Sequence, residues 1–331
     1  MKLKKCAALL LVSSCLLTGC TTSSAKKVDS KYVVASLEKG NKTKNIFADN
    51  LYKDIIDNSS NNSTVFNAVL QNLVDQKFPV NDDMKEDAAT IIKQIKSAYK
   101  SNYGDNYKDS LNQALTSAGY KNLSEYRQKM IKQIQYANFL LDYIDDHFDD
   151  VFNDYYQQCA PKYVSLIKIS VSDTSSPTDD ETSKLNEVKE LISNTDKSFG
   201  DIAQDYSDDS TSSKKGSLGI VDSKDTSGIA NSYGKDVFNA IEALSEGQVS
   251  DVITGDDGYY FVKVTSTDKK NLKKELKKTD IDSPLLAYDD YLQYVVYNSY
   301  KINYKDKDIK KIVQEVVNKA LEERKTERGE A

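Results

Sequence analysis

The chain has 331 residues, with 45 basic against 51 acidic for a formal charge of −6, one histidine and only four prolines. That overall acidity argues against nucleic acid as a partner, and a single histidine without any ligand spacing leaves no expected metal or cofactor. Long helices are open to a chain so poor in proline, and its length calls for two domains rather than one core. Met1-Lys-Leu-Lys-Lys5 is a positive start, and residues 6–17 are an apolar run too short for a bilayer of ~30 Å.

That run ends in Leu17-Thr-Gly-Cys20, which resembles the bacterial lipobox, where cleavage before the cysteine is followed by its acylation. An ordinary secretory signal cleaved near Ala25 would instead discard Cys20. Charge, length and tetrapeptide together favour the lipobox. Residues 1–19 are then a signal peptide, and loss of Lys2, Lys4 and Lys5 moves the charge from −6 to −9. Two or more acyl chains on Cys20 give stable anchoring where a single chain is marginal. Cys159 is left without a disulfide partner and reads as a small apolar residue rather than a reactive thiol.

Residues 20–30, rich in Ser, Thr and Lys, read as a flexible spacer. Residues 32–37 alternate as a strand that Gly40-Asn41 turns back. From there to residue 160 the period is helical, over 46–56, 64–78, 83–99, 107–117 and 124–148, with Pro79, Gly104 and Gly119 at boundaries. Residues 142–154 then hold six acidic groups around Phe148 and Phe152. This run is either a contact for cations or basic substrates, or the solvated face of one more helix. Lacking calcium-loop spacing, it is read as the second, with His147 on the surface. The 22 tyrosines are either adaptable contacts for unfolded chains or replacements for other large apolar residues.

Past Pro161 the period becomes strand-like, over 163–171. Asp179-Asp-Glu-Thr182 starts a helix through Leu185, Val188, Leu191 and Ile192. A short helix over 199–206 puts Phe199, Ile202, Ala203 and Tyr206 on one face. Strands at 218–222, 249–253 and 259–265 and a helix at 235–244 complete a β-α-α-β-α-β-β unit, an antiparallel sheet with packed helices, over 161–268. Residues 269–278 read as a basic linker, followed by helices from Pro284 to Tyr300 and over 306–324. These C-terminal helices (269–331) have nothing long beside them to pack on. The expected α+β architecture is therefore a helical domain built from N-terminal (31–160) and C-terminal parts, with the sheet unit inserted.

Phe199-Gly-Asp-Ile-Ala-Gln-Asp-Tyr206-Ser-Asp-Asp209, Lys215-Gly-Ser-Leu-Gly219, Glu246-Gly-Gln-Val-Ser250 and Gly258-Tyr-Tyr-Phe-Val-Lys-Val264 follow one another at a familiar spacing. In that order they resemble a parvulin-type peptidyl-prolyl isomerase domain. With the signal, lipobox and flanking helices added, the whole chain is similar to the foldase lipoproteins of Gram-positive bacteria. The resemblance implies a helical cradle for unfolded or newly secreted polypeptides, no cofactor, and a lipid anchor on the outer face of the cytoplasmic membrane. A homodimer through uncovered helical faces is a further reading, though no heptad run establishes it.

Prolyl isomerisation needs no nucleophile, because the barrier of roughly 18–20 kcal/mol is amide resonance. Parvulins surround the imide with two histidines, an Asp or Cys, and a Met and Phe that hold the proline ring. By that resemblance Leu166 and Tyr260 stand at the histidine positions, Asp209 keeps the acidic one, and Ile229 and Tyr233 take the Met and Phe positions. Leu218 and Phe238 complete the expected substrate-binding set. Asp209 and Tyr260 are the catalytic candidates, since the Tyr260 hydroxyl alone is placed to replace the histidine network. Two functions follow: a foldase or holdase whose isomerase domain is degenerate, or a fully active isomerase. A solute-binding lipoprotein would need two lobes with parallel strands, which the helical first half opposes.

Overall fold

The computed structural model describes residues 27–39, 42–194, 196–277 and 281–330. The signal-like start, Cys20 and the Gly40-Asn41 turn lie outside the described residues. Two units form, one of residues 82–290 and one of residues 27–81 with 291–330.

The second of these begins with strands β1 (Lys27–Val28) and β2 (Lys31–Lys39), joined through Asp29 and Ser30. Both linking residues have positive φ, 49° and 64°, as a two-residue type I′ turn requires. The last residues of the expected spacer therefore pair, with Lys27 opposite Tyr32. β2 runs antiparallel to β3 (Lys42–Phe47), and α1 (Ala48–Ile56) packs on this hairpin. Asn58 caps a 3₁₀ turn, and α2 (Asn62–Lys77) then buries Val65, Phe66, Leu70 and Val74.

Residues 82–290 open with α3 (Asp82–Tyr103), α4 (Tyr107–Ser117), α5 (Leu123–Asp146) and α6 (Phe148–Cys159). Asn122 caps α5 by accepting from the Glu125 N–H at 2.9 Å. The acidic run falls at the α5–α6 junction, where all its carboxylates but the half-buried Asp154 are exposed. His147 is also exposed, its ring stacked on Tyr143. The boundary expected at Pro161 does not divide the units, because α6 is tied into the sheet region. Its Tyr155 is fully buried and donates at 2.8 Å to Asp222, itself fully buried. Asp222 also accepts from the Thr226 hydroxyl and from the N–H groups of Lys224 and Thr226. Burial, with the Asp222 charge next, pushes the Tyr155 phenol far above its ordinary range.

The sheet consists of β4 (Lys162–Ser170), β5 (Ser217–Val221), β6 (Ile253–Gly255) and β7 (Gly258–Ser266), in the order β5-β4-β7-β6 and antiparallel throughout. Strand alternation sends Ile167, Ile169 and Phe261 to one face. There they meet α7 (Asp179–Asn194) and α8 (Phe199–Tyr206) through Leu185, Val188, Phe199, Ile202 and Ala203. Val164, Leu166, Val262 and Val264 line the other face, against α9 (Ile229–Tyr233) and α10 (Lys235–Ala243). Lys162 Nζ donates to the carbonyls of Ile241, Glu242 and Leu244, so a cation closes the C-terminus of α10.

Three expectations are corrected here. The strand at 249–253 reduces to a single bridge between Val249 and Lys263, then β6, because the Ser250 hydroxyl takes the Val262 N–H. The basic linker is helix α11 (Lys269–Leu276), capped by Asp268 and buried through Leu272 and Leu276. The helix from Pro284 to Tyr300 is split into a 3₁₀ turn, Pro284–Leu286, and α12 (Leu292–Ser299).

α12 and α13 (Lys307–Glu327) belong to the unit of residues 27–81 and 291–330. α13 packs on α2 through Ile312, Val313, Val317 and Ala320, and Phe66 stacks on Tyr294 and meets Tyr297 edge-on. Asp306 caps α13 and accepts from the Tyr52 hydroxyl at 2.5 Å, a bond that pushes the Tyr52 phenol up to about 12. This unit is thus built from both ends of the chain. No helix among the described residues is long and apolar enough to cross a membrane.

Candidate functional site

The site is on the face of β4 and β7 that carries Val164 and Leu166. β5 begins beside Leu166, whose N–H donates at 2.8 Å to the carbonyl of Gly216, the residue just before that strand. Gly216 has φ +74°, and a Cβ there would lie 2.4 Å from the Leu166 carbonyl oxygen. Only glycine lets the chain cross so near. Beyond that crossing the loop at 207–209 continues along β4. The Lys168 N–H donates to the Ser207 hydroxyl at 3.0 Å and the Asp208 N–H to the Lys168 carbonyl at 2.8 Å. Asp209 is held in place this way, half-buried, accepting from the Thr211 N–H at 2.8 Å.

The expected site residues converge. Leu166, Ile229 and Tyr260 are buried members of one cluster, and Leu218, Tyr233 and Phe238 pack on it while partly exposed. Tyr233 donates from its hydroxyl to Asp209 Oδ1 at 3.5 Å, and its ring meets that of Tyr260 edge-on at 6.2 Å. Tyr260 is only 2% exposed, and its ring crosses Gly255 so closely that a Cβ there would sit 2.7 Å from a ring carbon. Tyr260 therefore joins the site as packing, with its hydroxyl as the one polar handle.

That handle has partners the sequence reading missed. The Tyr260 hydroxyl donates to Asp257, and Lys168 Nζ bonds the other oxygen of the same carboxylate while lying 5.5 Å from the Tyr260 ring centre. Lys168 is opposite Tyr260 in the β4–β7 register. Alternation was the available signal, since Lys168 is two residues beyond Leu166 on an otherwise apolar strand. Asp257 precedes Gly258 in a sequence that reads only as a turn.

Burial raises both phenols above their ordinary range, with the Asp209 charge next for Tyr233 and the Asp257 hydrogen bond next for Tyr260. Both hydroxyls are thus protonated donors near neutral pH, aimed at carboxylates. The arrangement offers an apolar floor, a half-open rim of Leu218, Tyr233 and Phe238, and two phenolic donors. It holds no imidazole, the chain's only histidine being His147 at the α5–α6 junction. Among the described residues no group of His, Cys, Asp and Glu could hold a metal ion.

Residues 166–266 match the PPIC-type PPIase domain, also described as rotamase. Over 141 residues, 40% of this chain, the sequence is 33% identical to a foldase protein PrsA of Staphylococcus epidermidis and 32% identical to one of Staphylococcus aureus. The chain spans about 41% of the length of these curated relatives. Among solved structures, PrsA of Streptococcus pneumoniae is matched at TM-score 0.39 and 20% identity, over 85% of this chain and 99% of that one. PrsA of Bacillus subtilis is matched at TM-score 0.39 and 22% identity, over 85% and 98%.

Proposed function

We propose that this chain, whose residues 166–266 match the PPIC-type PPIase domain, is an extracytoplasmic foldase that binds unfolded secreted polypeptides. The lipid on Cys20 holds it to the membrane, and its isomerase domain contributes binding more than turnover. The observation that carries this reading is the site face itself. Leu166 and Tyr260, at the family's histidine positions, are buried in packing, while Leu218, Tyr233 and Phe238 remain reachable. An apolar rim takes up a prolyl segment, but twisting the imide also needs hydrogen bonds matched to the transition state. Here the two phenols already bond Asp209 and Asp257.

Tyr233–Asp209 and Tyr260–Asp257 also support the second reading, an active isomerase in which these donors turn to the substrate. It is less well supported, because each hydroxyl must first leave a carboxylate.

The test is suppression of aggregation of an unfolded secreted protein by the mature chain. Loss of suppression in Leu218→Ser with Phe238→Ser is expected, with circular dichroism showing that the variant is still folded at the assay temperature. Full suppression by that variant would remove the site from the function. Anchoring is read separately: the membrane form carries the mass of an acylated Cys20, and Cys20→Ala releases the chain to the medium. An unmodified mature mass would refute the lipid anchor alone.

A further inference from the structure

We propose that the β1–β3 hairpin and α1 form a surface that lies on an anionic phospholipid bilayer. None of the described side chains from 27 to 61 is buried, although β2, β3 and α1 are rich in large apolar residues. Six of the seven exposed large apolar side chains among the described residues are here, at Tyr32, Val34, Ile46, Leu51, Tyr52 and Ile55. Val34, Leu51 and Ile55 are each close to half exposed, at 46%, 46% and 45%. A small hairpin with one helix gains little from packing alone, so apolar groups left in water on this scale mark a contact surface.

Charge selects the occupant. Residues 27–56 hold six lysines against four acidic residues, in a chain whose total is −6. One of those four, Asp49, already faces Lys31 at 3.4 Å. Lys27 lies 4.4 Å from the Tyr32 ring centre and Lys31 6.0 Å from that of Phe47, so ammonium groups sit beside amphipathic rings as they do in interfacial anchors. A second copy meeting this patch about a two-fold axis would bring two net positive surfaces together. Negative headgroups instead complement it, at a gain that grows with each lysine near the surface. The tether agrees: Lys27 is seven residues after Cys20, a reach of at most about 25 Å. This last point rests on the lipid-anchor reading of Cys20. The charge and exposure arguments do not.

The experiment uses the mature chain with Cys20→Ser, which carries no lipid, so vesicle binding reads the surface independently of acylation. Co-sedimentation with vesicles of phosphatidylglycerol and phosphatidylcholine is compared with pure phosphatidylcholine at low and high salt. Binding only to the anionic vesicles, weakened by salt, is expected. Lys27→Gln, Lys31→Gln and Lys44→Gln together should lower it on the order of a hundredfold. Val34→Ser, Leu51→Ser and Ile55→Ser together should lower it by about tenfold or more. Circular dichroism and thermal unfolding check that both variants fold. Equal binding to both vesicle types, or variants that bind like the parent, would overturn the proposal. So would a concentration-dependent dimer, or aggregation suppression, that these substitutions abolish in a chain that never binds vesicles. Failure of Cys20 acylation in cells, read by mass, would leave the vesicle result standing.

Discussion

On one face of the four-stranded sheet, Ile167, Ile169 and Phe261 meet Leu185, Val188, Phe199 and Ile202, and every buried member of the cluster is a hydrocarbon. On the other, Val164, Leu166 and Val262 meet Ile229, Val237 and Ile241, but Tyr260 is buried among them. Both faces are rimmed by partly covered side chains, Leu191, Tyr206 and Tyr259 on the first and Leu218, Tyr233 and Phe238 on the second. The first face holds the domain together through burial at ~25 cal/mol per Å². The second differs in burying two phenols that bond carboxylates, Tyr260 on Asp257 and the half-covered Tyr233 on Asp209. The proposed binding face is thus the side of these two strands that carries the buried phenol.

Substitutions on the two faces should separate accordingly. Ile167→Ala, on the face that meets α7 and α8, should cost about 2–5 kcal/mol in urea unfolding without changing polypeptide binding by the folded fraction. A cost below about 1 kcal/mol would mean that this face is not the tighter of the two. Gly216→Ala should come next, at roughly 1–3 kcal/mol, because the residue is left-handed and a Cβ meets the Leu166 carbonyl. Tyr155→Phe removes one donor from the buried Asp222 and should cost about 1–3 kcal/mol. An unchanged midpoint there would mean that Thr226 and the backbone satisfy Asp222 alone. Leu218→Ala, on the other face, should cost no more than about 1 kcal/mol yet weaken peptide binding several-fold.

The smallest effect concerns pH. Burial raises the Glu242 carboxyl above its ordinary value, and its Oε1 is buried without a hydrogen-bond partner. With the folded-state value raised, protonation favours the fold at acid pH. That contribution is lost as pH rises through the raised value. Glu242→Gln should therefore gain on the parent as pH climbs from acid to neutral, in thermal unfolding followed across that range. A gain that shrinks with pH would mean that the folded protein favours the ionised Glu242 carboxylate instead.

The legible parts were those written in local pattern. Phe199, Ile202 and Ala203 mark one buried helix face, and the helix spans Phe199–Tyr206 as its spacing predicts. Leu166, Ile229, Tyr233 and Tyr260 could be brought together because family spacing carries them to one sheet face. Lys168 and Asp257 were missed because their roles arise only when β4 and β7 pair, at residues 89 apart in sequence. The Tyr155–Asp222 bond spans 67 residues and hid the attachment of α6 to the sheet for the same reason. Helix α11 was a different failure: five lysines in residues 269–277 looked like a linker, although Asp268 and the four-residue spacing of Leu272 and Leu276 gave both its cap and its buried stripe.

The most direct test of the central claim is the rate of cis–trans exchange at a proline, followed by NMR in a short Xaa-Pro peptide with the mature chain added. Little or no acceleration is expected from a chain that still suppresses aggregation. Strong acceleration, abolished by Tyr260→Phe and Asp209→Ala, would contradict that claim and make the histidine-free face a working catalyst.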